Sequence, residues 1–312
     1  MVKFSIRTFE RTIKQMNKRL LPYIALVAGI LSLTLSAFFV RWADAPAPVF
    51  AFYRMGIGGL LITPFFIKAG PARQISSRKF LLLPILGGLL TTFDLTLWNT
   101  GVQSTTIANA TLLGNTAPIW VVLALWLIFK QKFTNKFWLG LVLALGGAAI
   151  VLGYDFFMRP HFGLGDTLAL VSGMFYGGYY LATQYGRKNL GVVPYLWVVS
   201  LAATVSLLIV SLLMGYSITG YPLKTYGAFI GAGVVVQCIG YVAIAYALGH
   251  LPASIVAPTL IMQPVFSALL AIPLFGEQLL PIQWLGTAAV LTGIYLINRS
   301  NEPAKEPLAV QT

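Results

Sequence analysis

Long apolar stretches without charge, separated by short polar breaks, dominate the pattern along this chain. Leu20–Val40, Leu95–Phe129, Thr167–Gly186 and Asn189–Leu223 contain no Asp, Glu, Lys or Arg. Thr225–Gly276 contains none either, with His250 as the one break in the run. A crossing of the hydrocarbon core takes about 20 helical residues. Cutting the pattern at charges and at Gly/Pro turns predicts ten helices, near 20–40, 48–67, 80–100, 105–129, 134–153, 164–185, 193–214, 225–247, 254–275 and 281–298. Asn99-Thr100-Gly101 and Gly249-His250-Leu251-Pro252 read as turns between them. None of the runs alternates with a period of two, which excludes a transmembrane β-barrel.

Composition removes the soluble alternative. Hydrophobic residues make up 58% of the chain and charged residues 9%, against about 25% charged in a soluble domain. A net charge of +13 invites a nucleic-acid partner, but its placement argues for a membrane and no nucleic acid. With the N-terminus in the cytoplasm, 17 of the 21 Lys and Arg fall in cytoplasmic segments and three (Arg41, Arg159, Lys224) outside. That bias obeys the positive-inside rule. It predicts a multi-pass protein of the cell inner (plasma) membrane with both termini cytoplasmic. Ahead of the first span, Phe9, Ile13, Met16 and Leu20 recur at helical spacing among six basic residues. This arm, 1–19, is expected to lie as an amphipathic helix on anionic lipid at the cytoplasmic face. Ala43-Asp44-Ala45 resembles a signal-peptide cleavage site, but the preceding apolar run is too long for a signal's hydrophobic region.

The chain also repeats itself. Ala25-Leu26-Val27-Ala28-Gly29 returns as Ala169-Leu170-Val171-Ser172-Gly173, 144 residues on. Pro118, Trp138, Gly140 and Gly147 return as Pro264, Trp284, Gly286 and Gly293, all 146 residues on. Five helices per copy is an odd number, so the second copy starts from the opposite side of the membrane. The predicted fold is therefore all-α, with ten transmembrane helices as two inverted five-helix repeats, 20–153 and 164–298, and a cytoplasmic tail at 299–312. Inverted repeats of this kind build secondary transporters, with the substrate site between the halves near mid-membrane.

Two motifs sharpen this. Ala47-Pro48-Val49-Phe50-Ala51-Phe52-Tyr53-Arg54 is an apolar run closing on an arginine. The stretch from Pro264 through Gly276-Glu277 to Trp284-Leu285-Gly286 joins a proline, an aliphatic run, an acidic turn and Trp-x-Gly. With the basic arm and the paired repeats, these resemble the drug/metabolite transporter superfamily, the EamA-type permeases, over about residues 20–298. The first repeat departs from the pattern, carrying Lys130-Gln131-Lys132 where the acidic turn would stand. The resemblance implies secondary-active transport of a small-molecule substrate by alternating access, as an exporter of amino acids or related compounds. Uptake of a metabolite or a nucleotide-derived compound is the alternative direction. A channel would need a continuous polar stripe or charged ring, which is absent from the pattern.

Arg54 and Asp94 are the charges deep in predicted spans, each about six residues, or 9 Å, from the outer end of its helix. Charges inside a membrane are costly and mark function by default. A structural ion pair locking the second helix to the third is the competing explanation. In the functional alternative Arg54 holds a substrate carboxylate bidentately. Asp94 then carries a coupling proton, which a guanidinium cannot release. Trp98, Asn115, Tyr176, Gln237, Tyr241 and Gln263 are further candidates for lining a substrate cavity, because polar groups in spans must face protein or water. Interhelical hydrogen bonding or an interfacial aromatic belt would also place some of them. Pro118 and Pro264 lie within spans at one repeat spacing and read as paired hinges or gates, or as packing kinks.

No catalytic site, metal site or cofactor is expected. Cys238 stands alone, His161 and His250 fall in loops, and no Walker-type phosphate loop occurs. Tyr154-Asp155 and Gly163-Leu164-Gly165-Asp166 imitate intramembrane aspartyl proteases, but both aspartates fall in one expected outside loop. There they would be wet and ionised, unable to share a proton.

Overall fold

The computed structural model describes residues 20–70, 77–152, 162–275 and 280–300, all helices and connections, with no strand among the described residues. The N-terminal arm, Tyr154-Asp155, His161, Glu277 and the tail beyond Ser300 lie outside the described residues. Among the described residues ten helical spans follow in order. They are α1 (Leu20–Ala43), α2 (Ala47–Lys68), α3 (Arg78–Ser104), α4 (Ile107–Leu127), α5 (Asn135–Leu152), α6 (Leu164–Gly186), α7 (Val192–Leu213), α8 (Leu223–Leu248), α9 (Ala253–Phe275) and α10 (Pro281–Ser300). Eight are both long and apolar enough to cross a membrane; α6 and α10, at 23 and 20 residues, match them in length.

Local chemistry sets the ends. Asp44, in the left-handed region at φ 47°, stops α1, and Pro48 falls in the opening turn of α2, where its missing N–H costs nothing. Thr106 caps α4 by accepting from the Asn109 N–H at 3.1 Å. Asp166 caps α6, accepting from the Gly163 N–H at 2.9 Å and from the Thr105 hydroxyl at 2.8 Å. Asp166 is thus 2% exposed rather than wet, because it is folded into the joint between α6 and the α3–α4 turn.

Several helices are less regular than the hydrophobic pattern predicts. The expected turn at Asn99-Thr100-Gly101 is helical, and α3 continues to Ser104. Asn99 is held there by its Nδ2 donating to the Ala47 carbonyl, and Gly101 faces the backbone of Gly165. α4 breaks at Asn115–Thr116, and α9 breaks at Leu260–Ile261, the equivalent place in the second repeat. α8 is π-helical over Ala232–Tyr241, a departure that apolar composition does not reveal.

The antiparallel course of equivalent helices shows the inversion directly. Gly140 of α5 faces Gly293 of α10, and Gly147 faces Gly286, so the early part of each helix meets the late part of the other. A Cβ at any of these four would come within 3.0 Å of the opposing backbone oxygen, so only glycine permits the crossing. α2 and α7 also run antiparallel, with Gly56 on Thr204, Gly59 on Ser200, and Trp197 Nε1 donating to Thr63 Oγ1 at 3.0 Å. The main core joins α1–α4 with α6–α8 and the first part of α9. A second, smaller core of Val122, Phe137, Leu141, Ala144, Val265, Val290 and Ile294 seats α5 and α10 to one side.

Candidate functional site

A cavity of about 600 Å³, counting its mouth, lies where α1, α2, α3, α4, α6, α8 and α9 meet. Arg54 of α2, Asp94 and Trp98 of α3, Asn115 at the α4 break, Tyr176 of α6, Tyr241 of α8 and Gln263 of α9 all line it. The two broken helices each contribute a polar side chain beside the break, an arrangement found where irregular backbone borders a cavity rather than lipid.

Arg54 is 1% exposed and Asp94 5%. The helix-locking ion pair is not formed: Arg54 Nη1 donates to Ser36 Oγ at 3.1 Å, and its guanidinium lies 5.0 Å from the centre of the Tyr241 ring. Ser36 of α1 and the face of Tyr241 therefore take the roles expected of the carboxylate, the ring through a cation–π contact. Nε and Nη2 of Arg54, the parallel edge of the guanidinium, have no hydrogen-bond partner. Two buried donors left unpaired on a cation are costly; an Nε–Nη2 edge is the geometry with which a guanidinium can hold a carboxylate side-on. Asp94 lines the same cavity as the site's one carboxylate.

The remaining walls fix shape. Trp98 donates its Nε1 to the Ala110 carbonyl at 3.3 Å and lies against Gly114, where a Cβ would meet the indole at 2.8 Å. Asn115 turns its Nδ2 back to the Thr111 carbonyl at 2.8 Å, closing the C-terminal turn of the first α4 segment. The Tyr176 ring packs tilted against Tyr180 at 4.3 Å and Tyr241 at 6.4 Å, centre to centre.

Gln237, expected in the cavity, lies elsewhere. Its stem fills the space that Gly58 leaves, and its Nε2 donates to Ser200 Oγ at 3.4 Å, so it packs α8 on α2 and α7. Pro118 and Pro264 do not line the cavity, and neither is deep in a helix. Each lies in the first turn of the segment after a break, as second and third residue respectively, where no carbonyl four residues earlier needs its N–H. Ser36, Thr111, Ser172 and Ser267 also line the cavity. Ser172 stands four residues before Tyr176, on the same helical face; the other three give no signal above the hydroxyls scattered through the spans. Among the described residues no cluster of His, Cys, Asp or Glu could hold a metal ion, and His250 is an exposed loop residue whose ring lies tilted against Tyr246.

The charged site is not duplicated. At the repeat spacing of 146, Ser200 stands at the position of Arg54 and Gly240 at that of Asp94. One repeat thus supplies both charges, and the other supplies aromatic and amide walls.

A helical bundle of inverted repeats around a buried, charged cavity fits a membrane transporter. The chain belongs to the EamA-like transporter family, whose pattern matches residues 20–153 and again 163–299. It is a multi-pass membrane protein. An uncharacterized transporter of Methanothermobacter thermautotrophicus is 23% identical over 90% of this chain and 87% of its own length. The pseudopaline exporter CntI of Pseudomonas aeruginosa is 27% identical over 72% of this chain and 77% of its own. A probable terminal-alkyne amino-acid exporter of Streptantibioticus cattleyicolor is 25% identical over 83% and 90%. A protein of known crystal structure shares the fold with a TM-score of 0.71, at 16% identity, over 88% of this chain and 95% of its own.

Proposed function

We propose that this chain is an alternating-access exporter of amino acids or related zwitterions in the inner (plasma) membrane, with both termini in the cytoplasm. The observation that carries this reading is the open Nε–Nη2 edge of Arg54, buried in one cavity with an Asp94 carboxylate that makes no ion pair with it. A substrate carboxylate completes the fork, and a substrate ammonium is met by Asp94, so the zwitterion neutralises both sites at once. The apolar walls of Leu33, Ala37, Leu95 and Trp98 suit an amphipathic side chain. Two of the relatives are named as exporters, one of them of an amino acid.

Coupling follows from competition. After substrate leaves, an unpaired carboxylate in a closed, low-dielectric cavity is costly, and a proton taken up by Asp94 removes that cost. Substrate and proton then exchange on one group, which makes proton-driven antiport the natural export cycle. The basic arm and cytoplasmic loops would hold anionic lipid and keep this orientation.

Counterflow in proteoliposomes tests the mechanism. Unlabelled amino acid on the trans side should accelerate entry of labelled amino acid; a pore shows no such acceleration. A panel of amino acids that gives neither counterflow nor thermal stabilisation of the purified protein would reject the substrate class.

A further inference from the structure

Arg41 and Arg187 stand 146 residues apart, the spacing that relates Pro118 to Pro264 and Gly140 to Gly286. Each ends the first helix of its repeat: Arg41 lies in the last turn of α1, and Arg187 is the capping residue of α6. Arg41 Nε donates to the Val102 carbonyl at 2.9 Å, and its Nη2 donates to the Thr105 carbonyl. This ties α1 to the C-terminal end of α3. Arg187 Nε donates to the Ala245 carbonyl at 3.0 Å, and its Nη1 donates to the Leu190 carbonyl. This ties α6 to the C-terminal end of α8, the helix equivalent to α3. One bond, from a guanidinium Nε to a last-turn carbonyl of the third helix, is therefore made twice by repeat-related residues.

The chemistry favours both ties. The last carbonyls of a helix carry the negative end of its dipole, so a cation gains by binding them; the Ala245 carbonyl also accepts from the Gly249 N–H at 3.2 Å, so Arg187 shares it. Arg187 is also packed tightly, since a Cβ on Gly249 would meet its guanidinium at 2.6 Å. Their position matters more. α1, α3, α6 and α8 each carry a cavity-lining side chain. Ala37 stands four residues before Arg41, Trp98 four before Val102, and Tyr241 four before Ala245. Counted along α1, α3 and α8, each tie therefore lies about one helical turn beyond a cavity-lining side chain, whereas on α6 Tyr176 stands eleven residues before Arg187. The chain crosses five times between the two arginines, so they lie on opposite faces of the bundle.

We propose that Arg41 and Arg187 are a repeat-related pair of clasps, one for each membrane face, and that the cavity opens to a face only when the clasp of that face releases. This rests on the alternating-access reading and names how that site is regulated. Two clasps of like chemistry give the two gates comparable strength, so neither open state dominates the cycle. Removing one shifts the population toward opening on its own face, by as much as that clasp favoured the closed gate.

The test uses the full chain in a Cys238→Ala background, with Ser267→Cys as a reporter in the cavity wall. A membrane-impermeant maleimide is applied to whole cells and to inverted vesicles, and the ratio of labelling rates from the two faces is read. Arg41→Ala should raise that ratio toward the Arg41 face by roughly tenfold, and Arg187→Ala should move it by a similar factor the other way. Equal or same-direction shifts accompanied by a lower melting temperature would show helix caps alone and overturn the inference. Where an alanine variant does not fold, Arg41→Lys and Arg187→Lys keep the charge and one bond. These should shift the ratio in the same opposite directions by a smaller factor, and no shift in folded lysine variants overturns the inference. The parent reporter separates the two levels. Labelling from both faces supports alternating access, so that failure of opposite shifts then counts against the clasps alone. Labelling of the parent and every variant from one face only rejects the carrier reading itself, and the clasps with it.

Discussion

Arg54 concentrates the energetic tension of this molecule in one side chain. A buried guanidinium with one hydrogen bond and one aromatic face leaves its best hydrogen-bonding edge unused. In a purely structural role that edge would have been paired or the residue replaced by an apolar one. Arg54→Lys keeps the charge and removes the fork, so it should fold yet lose roughly tenfold or more in apparent substrate affinity, read as KM in proteoliposome exchange. Arg54→Gln with Asp94→Asn restores neutrality and should keep the melting temperature of the parent while exchange stays at background. A double variant that transports at the parent rate would remove both residues from the site. Gln237→Leu is the control outside the cavity: exchange should persist, since that amide serves the contact with Ser200.

The charges of this site were legible because a charge in an apolar span is conspicuous, whereas its hydroxyls were not. Thr34 and Ser172 donate to carbonyls of their own helices, at 2.8 and 2.7 Å, and such hydroxyls look alike in sequence whether or not they face a cavity. Ser36 accepts from Arg54 Nη1 of α2, a contact that nothing in its own local sequence distinguishes from those of Ser32 and Thr34. Gln237 misled for the opposite reason. An amide in a span must find a partner, but the spacing cannot say whether that partner is a ligand or the next helix.

At the scale of elements, polarity gave the spans, the repeat spacing gave their order, and both missed the irregular backbone. The breaks in α4 and α9 and the π-helical stretch of α8 depend on what packs around them, so a local pattern of apolar residues cannot show them. Pro118 and Pro264 did mark the neighbourhood, and being in first turns they should tolerate alanine. Pro264→Ala is expected to change the melting temperature little, because the interior penalty of about 3 kcal/mol does not apply at that position. Asp166 offers the contrasting case. Its carboxylate serves both the α6 N-terminus and Thr105, so Asp166→Ala should cost about 1–2 kcal/mol, read as a lower midpoint in thermal or denaturant unfolding. The crossing of α5 and α10 is stricter still. Gly147→Ala forces a Cβ against the Gly286 carbonyl oxygen, and an overpacking cost of about 1–3 kcal/mol should appear as lower stability with the cavity helices intact.

The whole molecule is defined by how the two repeats divide the work. The equivalent pairs α2–α7 and α5–α10 cross antiparallel, so each repeat completes the packing of the other. The cavity makes the same point chemically: α1–α4 bring Arg54, Asp94, Trp98 and Asn115, whereas α6, α8 and α9 bring Tyr176, Tyr241 and Gln263. Neither repeat holds both the charges and the opposing wall, and the glycine faces of an isolated repeat would meet lipid in place of the helix they are shaped for. A chain cut between α5 and α6 therefore makes a specific prediction. Expressed separately, the two halves should be unstable and inactive. Expressed together, they should copurify through the α2–α7, α3–α6 and α5–α10 contacts and recover exchange, because the interfaces that hold the site are helix faces and not the connecting segment. Substituting Gly147 and Gly293 together by Val in the paired halves should abolish copurification. If either half alone gave substrate counterflow, the site could not lie between the repeats, and the cavity lined by Arg54 and Gln263 would have to serve another purpose.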